Sequence, residues 1–430
     1  MPWQQSSIFN QWSNDYRSNY NYTLQSEDTI TSNQYDDSNP SSQPKKIFIH
    51  NIFQTTELPK WNPNLYIKAL QNSTYIPKDI ADKLPNYESK LKQIIKMVAQ
   101  NITTINNYEL ARTIFACSKG KLLQNQYATI SFIKLLENEV LQRLDTMHII
   151  ELYRILHSVT NINADAANYP ESALNETTCV QMPFDADMVK CIIYRIVDRI
   201  TNIGAMDIAN LICLVAYNGM IDSNITLKIN KGVKRRLWGL TEPIKILTPV
   251  IALAMFGMLQ VETAASSLKA LQSCSTLPRY SVNFTEATEC KSMIRIINEH
   301  IFPMKLLEVI LRIDYPELYK GFDAESIAYL NQIRYIKPLL ISYKDWDYLR
   351  PLTQAWEPYM YADSQYNILP HIHGPYVIRM CDPIKKIIIQ PTIEWQNVSS
   401  WQKFYIKHYQ SMMNRHLEKS GFNIQSEHKT

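Results

Sequence analysis

From about Tyr87 to Ile336 apolar residues recur three and four positions apart, the period of helices that bury one stripe each. Residues 185–203 show it most plainly, with Met188, Val189, Ile192, Ile193, Ile196, Val197 and Ile200 on one face and Asp185 placed to cap the start. The same stripe runs through residues 110–116, 130–144 and 149–159, and less regularly through 291–313 and 324–336. Past Tyr376 the pattern changes. The β-branched run 384–390 follows the strand-like 376–380, with Cys381-Asp382-Pro383 as a turn, so a hairpin is predicted. A basic-aromatic helix comes after Trp395 and stops at Gly421, and Phe422-Asn423-Ile424 begins another strand.

Superposing the helical stripes exposes a period. Glu109-Leu110-Ala111-Arg112 aligns with Glu151-Leu152-Tyr153-Arg154, and Ala216-Tyr217-Asn218-Gly219 with Ala254-Met255-Phe256-Gly257. A unit of about 38–42 residues holding two helices is the signature of an α-solenoid, in which each unit buries its stripe only against its neighbours. The polar, Pro-containing segment 161–184 reads as an inserted loop. The expected fold is therefore mainly α: an α-solenoid of helix-pair repeats over residues 61–345 and a small C-terminal α/β module over 375–430. Residues 1–60 are rich in Ser, Asn, Gln and Tyr without an apolar period, so a disordered or extended N-terminal arm is expected there. Residues 346–374, aromatic and broken by proline, read as a packed connector, with base stacking as the alternative.

Composition narrows the choices. Only nine glycines occur, and neither a dinucleotide fingerprint nor a Walker-type phosphate loop is present, so no cofactor is expected. The seven cysteines are odd in number, scattered and never in CxxC spacing, which points to reduced thiols. Cys117, Cys191 and Cys213 fall within apolar helical patterns and are expected to pack as small hydrophobes. The uncharged run 246–261 is broken by Pro249 and too short to span a bilayer; it reads as a buried helix. No secretory signal is visible, and the acids Asp15, Glu27 and Asp28 depart from a plain mitochondrial presequence. His371-Ile372-His373, with Cys381 and Asp382 downstream, lacks a fourth ligand at metal-site spacing, and no metal is expected.

A net charge of +4 on 430 residues is too slight to imply nucleic acid, so such a role must rest on local clusters. Lys228, Lys231, Lys234, Arg235 and Arg236 stand within nine residues without an intervening acid. Their three- and four-residue steps put most of them on one helix face, opposite Ile229, Val233 and Leu237. Phosphates would satisfy such a ridge; an ordinary solvated face is the alternative. Lys403, Lys407 and Arg415 interleave with Trp401, Phe404, Tyr405 and Tyr409, a mixture suited to single-stranded RNA; Phe404 and Tyr405 also sit at plausible core positions, which is the alternative.

The C-terminal order of hairpin, helix and strand, with Lys386-Ile387-Ile388-Ile389 and Arg415-His416-Leu417 through Gly421-Phe422-Asn423-Ile424, resembles the RAP domain, a small module of organellar RNA-binding proteins. RAP domains are similar in fold to metal-dependent restriction-type nucleases. Such nucleases hold a divalent cation on two carboxylates and need a Lys; here Asp382 is followed by Gln390-Pro391-Thr392 where Glu-x-Lys would stand. A neutral amide is a poor substitute for a carboxylate on a hard cation, so a degenerate, non-catalytic module is expected. Helical repeats joined to a RAP domain resemble a family expanded in apicomplexan parasites. That resemblance implies a mitochondrial RNA-binding protein, with organellar transcripts or ribosomal RNA as ligand and mitochondrial ribosomal proteins as partners. A structural protein-binding subunit of a mitochondrial complex is the alternative.

Overall fold

The computed structural model describes residues 63–73, 84, 86–120, 122, 127–167, 183–237, 240–274, 301–335, 369–390 and 400–426. Helices dominate. In chain order they are α1 (Pro63–Ser73), α2 (Tyr87–Gln100), α3 (Asn107–Lys119), α4 (Ile130–Arg143), α5 (Ile149–Ala167), α6 (Ala186–Asp198), α7 (Ala205–Tyr217), α8 (Ser223–Leu237), α9 (Pro243–Met255) and α10 (Val261–Ser273). Then come α11 (Phe302–Asp314), α12 (Pro316–Lys320) and α13 (Ala324–Tyr335), followed by β1 (Leu369–His373), β2 (Tyr376–Asp382), β3 (Ile387–Gln390), α14 (Ser400–Lys419) and β4 (Asn423–Ser426).

Helices that alternate in sequence are neighbours in space. α1, α3, α5, α7, α9 and α11 pack in succession, while α6, α8, α10 and α13 form a second row against them. One continuous core of Leu, Ile and Val runs between the two rows. The aligned segments are equivalent in local structure. Asn106 and Glu109 form a reciprocal capping box at the start of α3, and at the start of α5 the His148 N–H donates to Glu151 at 2.7 Å. Gly219 and Gly257 follow α7 and α9 with φ of 66° and 71°. There Met220 N–H donates to the Val215 carbonyl and Met258 N–H to that of Leu253, the same closing bond in both turns.

A further repeat escaped the sequence reading. Arg143, at the end of α4, donates to the carbonyls of Ile105 (2.5 Å) and Ile102 (3.0 Å) in the preceding α2–α3 turn. Arg199, just after α6, does the same to Met147 (2.9 Å) and Asp145 (3.2 Å). Arg236 of α8 reaches Thr201 at 2.5 Å. At the matching place after α10 the Cys274 thiol meets the Leu240 carbonyl at 3.5 Å. A long cation here satisfies the turn of the unit before it, so the series ties successive helix pairs together.

Some expectations are corrected. α5 continues through residue 167, so 161–167 are helical and not loop, and residues 168–182 lie outside the described residues. Cys117 and Cys213 are buried, but Cys191 is exposed because it lies off the stripe of α6. α9, which overlaps the uncharged run, is buried almost throughout, and no described helix is long and apolar enough to cross a membrane. The hairpin holds with shifted bounds: Cys381 and Asp382 belong to β2, while Ile384, Lys385 and Lys386 form the turn. His371, Ile372 and His373 lie in β1. The sheet order is β1-β2-β3-β4, with β3 and β4 parallel and joined through α14. Residues 1–60 and most of the connector (346–368) lie outside the described residues, as does Trp238.

Candidate nucleic-acid interface

α8 starts at Asp222, whose carboxylate accepts the Ile225 N–H at 2.7 Å and the Tyr194 hydroxyl at 2.7 Å. The Ile225 amide first, and the Tyr194 hydroxyl next, hold that carboxyl below its ordinary value. Ile225, Ile229, Val233 and Leu237 are buried on the inner side. Gly232 faces Ile200 so closely that a Cβ would lie 2.3 Å from its Cγ2. Asn230, fully buried, donates to the carbonyls of Thr226 and Met258, both at 2.8 Å, and accepts the Gln260 N–H at 3.2 Å. The outer face is thereby fixed in rotation and height.

The five cations of α8 separate into two sets. Lys228 pairs with Asp198 of α6 at 2.5 Å, and Arg236 is one of the arginines that hold a preceding turn. Arg236 also lies near Asp207, whose carboxyl is raised by burial while the Gly204 amide and Arg236 oppose the rise. Lys231, Lys234 and Arg235 are exposed and, among the described residues, have no hydrogen bond or ion pair. Lys234, Arg235 and Arg236 occupy the last turn, where they also offset the negative end of the helix.

Of the two readings of α14, core packing describes its aromatic residues. Its aromatic side is packed against the helical body instead of facing solvent. Trp401 meets His157 of α5 edge-on, with ring centroids 5.5 Å apart. Phe404 meets Tyr217 of α7 at 5.4 Å and stacks on Phe256 at 5.7 Å. Tyr405 is buried, and burial pushes its hydroxyl and that of Tyr409 upward in pKa. Further along, Arg415 donates to Asp314 of α11 at 3.0 and 2.7 Å, so it is held by an intramolecular acid. Residues 401 to 415 span about 21 Å of helix. Crossing α5, α7, α9 and α11 at helix spacings of about 8–10 Å takes about 24–30 Å, and the long side chains of Trp401 and Arg415 at the two ends supply the difference. Lys403 is half-buried and Lys407 exposed, and neither has a hydrogen bond or ion pair among the described residues.

The two basic clusters are therefore not brought together. α14 lies on the row of α5, α7 and α9, and α8 belongs to the other row. Asp382, the residue a hydrolytic cation would need, is buried, and its Oδ1 accepts the N–H groups of Ile384 (3.1 Å) and Lys385 (2.9 Å). It shapes the turn as an Asx motif. Among the described residues no three His, Cys, Asp or Glu side chains converge as a metal would require. No family model matches the chain, and no curated protein matches it.

Proposed function

We propose that this chain is a non-catalytic RNA-binding protein of the mitochondrion, an α-solenoid with a degenerate RAP-like C-terminal module. Organellar transcripts or ribosomal RNA are its ligand, and incorporation into a mitochondrial ribosome is within that reading. The observation that carries it is the trio Lys231, Lys234 and Arg235: three neighbouring exposed cations that meet no acid among the described residues, beside two others that have found intramolecular partners. Like charges so close repel, and polyphosphate relieves that repulsion. The two-row packing, the recurring arginines and the β3–α14–β4 order support the architecture; the compartment follows from the RAP resemblance alone.

A second reading, a protein-binding structural subunit, draws on Leu227 and Val261, which are 41% and 55% exposed on the same row. Charge reversal at Lys231, Lys234 and Arg235 separates the two. RNA binding that is lost in the variant and falls with salt supports the first; partner capture that survives the reversal, with no RNA bound by the parent, supports the second.

A further inference from the structure

We infer that the ligand of the α8 trio is the phosphate backbone of double-helical RNA, and that the helix pairs do not read bases one by one. The inference rests on the RNA-binding reading above and deepens it. A repeat protein that reads a strand needs chemically suitable side chains recurring at one position of successive units. The recurring turn-binding residues Arg143, Arg199, Arg236 and Cys274 set the helices α4, α6, α8 and α10 in register. In that register Lys231 corresponds to Asn138, Tyr194 and Lys269, and Arg235 to Gln142, Asp198 and Ser273. The counterparts of Lys234 are uncharged. One basic position recurs once, at Lys269, and an acid stands in another, so the cluster of three cations is confined to α8.

From α5 to α11 the other row offers no alternative track among the described residues. α14 covers it from α5 to α11, with Trp401, Phe404 and Arg415 occupying the surface that a strand would follow. Those aromatic rings are packed, and α8 itself has no aromatic residue on which a base would stack. What is left, among the described residues, is a ridge on α8 with three cations along about 6 Å of helix. Such a ridge suits the regularly spaced phosphates beside a groove, which carry no sequence information.

The test uses the full chain, an RNA duplex of about 20 base pairs, long enough for the ~16 base pairs that shape-reading domains span, and one strand of that duplex alone. Fluorescence anisotropy of each probe is measured across salt, for the parent and for K231Q/K234Q/R235Q. All three positions are exposed, and an unchanged urea midpoint establishes that the variant folds. The expected result is tighter binding of the duplex than of the strand, insensitivity to scrambling its sequence, and a salt slope reduced by about 2.7 in the variant. Three phosphate contacts of that kind account for about a 40-fold loss of affinity between roughly 50 and 200 mM salt. If the single strand is preferred, or scrambling changes affinity more than about tenfold, the duplex inference is overturned while RNA binding stands. Duplex binding unaltered in the variant likewise overturns the assignment to α8. If neither probe binds at physiological salt, the RNA-binding reading fails and takes this inference with it.

Discussion

Arg415 and Asp314 face each other across the junction of the C-terminal module and the helical body, joined by two parallel hydrogen bonds of 3.0 and 2.7 Å. His416, on the same helix, adds a third contact to Asp314 at 2.8 Å, and its other ring nitrogen meets the Tyr376 hydroxyl of β2. One carboxylate thus links α11, α14 and the sheet.

Burial alone would raise the Asp314 carboxyl, but hydrogen bonds and charge from His416 and Arg415 outweigh it and hold it at about 2, against an ordinary value of 3.8. A carboxyl depressed on folding stabilises the native state above its unfolded value and stops doing so as pH falls through its folded value. Asp314→Asn is expected to cost about 2 kcal/mol at neutral pH, an amount reduced by the exposure of Arg415. Urea midpoints of parent and variant should differ by a constant amount above about pH 4 and converge near pH 2. A gap that persists at pH 2 would mean that Asp314 acts through packing and not through its charge.

The arginines that hold the preceding turns make a separate prediction. Arg199 satisfies two carbonyls from one planar group, which a lysine ammonium does not reproduce. Arg199→Gln should cost about 1–2 kcal/mol, with Arg199→Lys recovering less than half of it. The measurement is equilibrium unfolding, read beside hydrogen exchange of the Asp145 to His148 turn. Equal stability of the lysine variant would reduce the residue's role to its charge.

Much of the helical body was legible because its signals are local. A Glu three residues after a helix start and a glycine just past a helix end each fix one terminus, and both recur one unit later at Glu151 and Gly257. The stop at Gly421 follows the same logic: Phe422 N–H closes onto the Leu417 carbonyl. Long-range partners were not legible. Trp401, Phe404 and Tyr405 form an aromatic face whether it meets a base or a neighbouring helix, and only the three-dimensional packing distinguishes the two. Lys228 and Arg236 read as members of a ridge because Asp198 and the Thr201 carbonyl lie 30 and 35 residues away. The strand start was misplaced for a local reason. Asp382 accepts two amides of its own turn, which takes Ile384 out of the ladder and leaves it 84% exposed.

Asn230 provides a test of how α8 is positioned. Its amide satisfies the Met258 carbonyl and the Gln260 N–H in the turn before α10. Replacing it with Leu keeps the branched shape and removes every side-chain hydrogen bond, leaving two backbone groups in a buried setting without partners. The expected loss is about 2–4 kcal/mol, since an orphaned buried polar group costs about 1–3 kcal/mol. Asn230→Asp should be milder than Asn230→Leu for the Gln260 N–H and no better for the Met258 carbonyl. Amide exchange at Gln260 in the two variants distinguishes those contributions, and protection equal to the parent's in Asn230→Leu would refute the assignment.

Gly232 carries the last prediction, because it sets how closely α8 approaches the short 3-10 turn Ile200–Asn202 that follows α6. A methyl group there would stand 2.3 Å from the Ile200 Cγ2, well inside van der Waals contact. Helix propensity alone favours alanine over glycine by about 1 kcal/mol in a helix interior. Overpacking typically costs about 1–3 kcal/mol, so the clash should outweigh that gain and Gly232→Ala should lower stability. The companion Ile200→Ala opens a cavity and should destabilise by about 2–4 kcal/mol alone. Combined, the two should lose less than the sum, because the new methyl enters the space the isoleucine vacated. The quantity to measure is the coupling energy of that double-mutant cycle from urea unfolding. A coupling of zero would place the methyl elsewhere and remove the close approach as the reason for a glycine at this position. A clearly favourable coupling, with propensity restored, would identify glycine at 232 as a packing requirement of the α8 ridge.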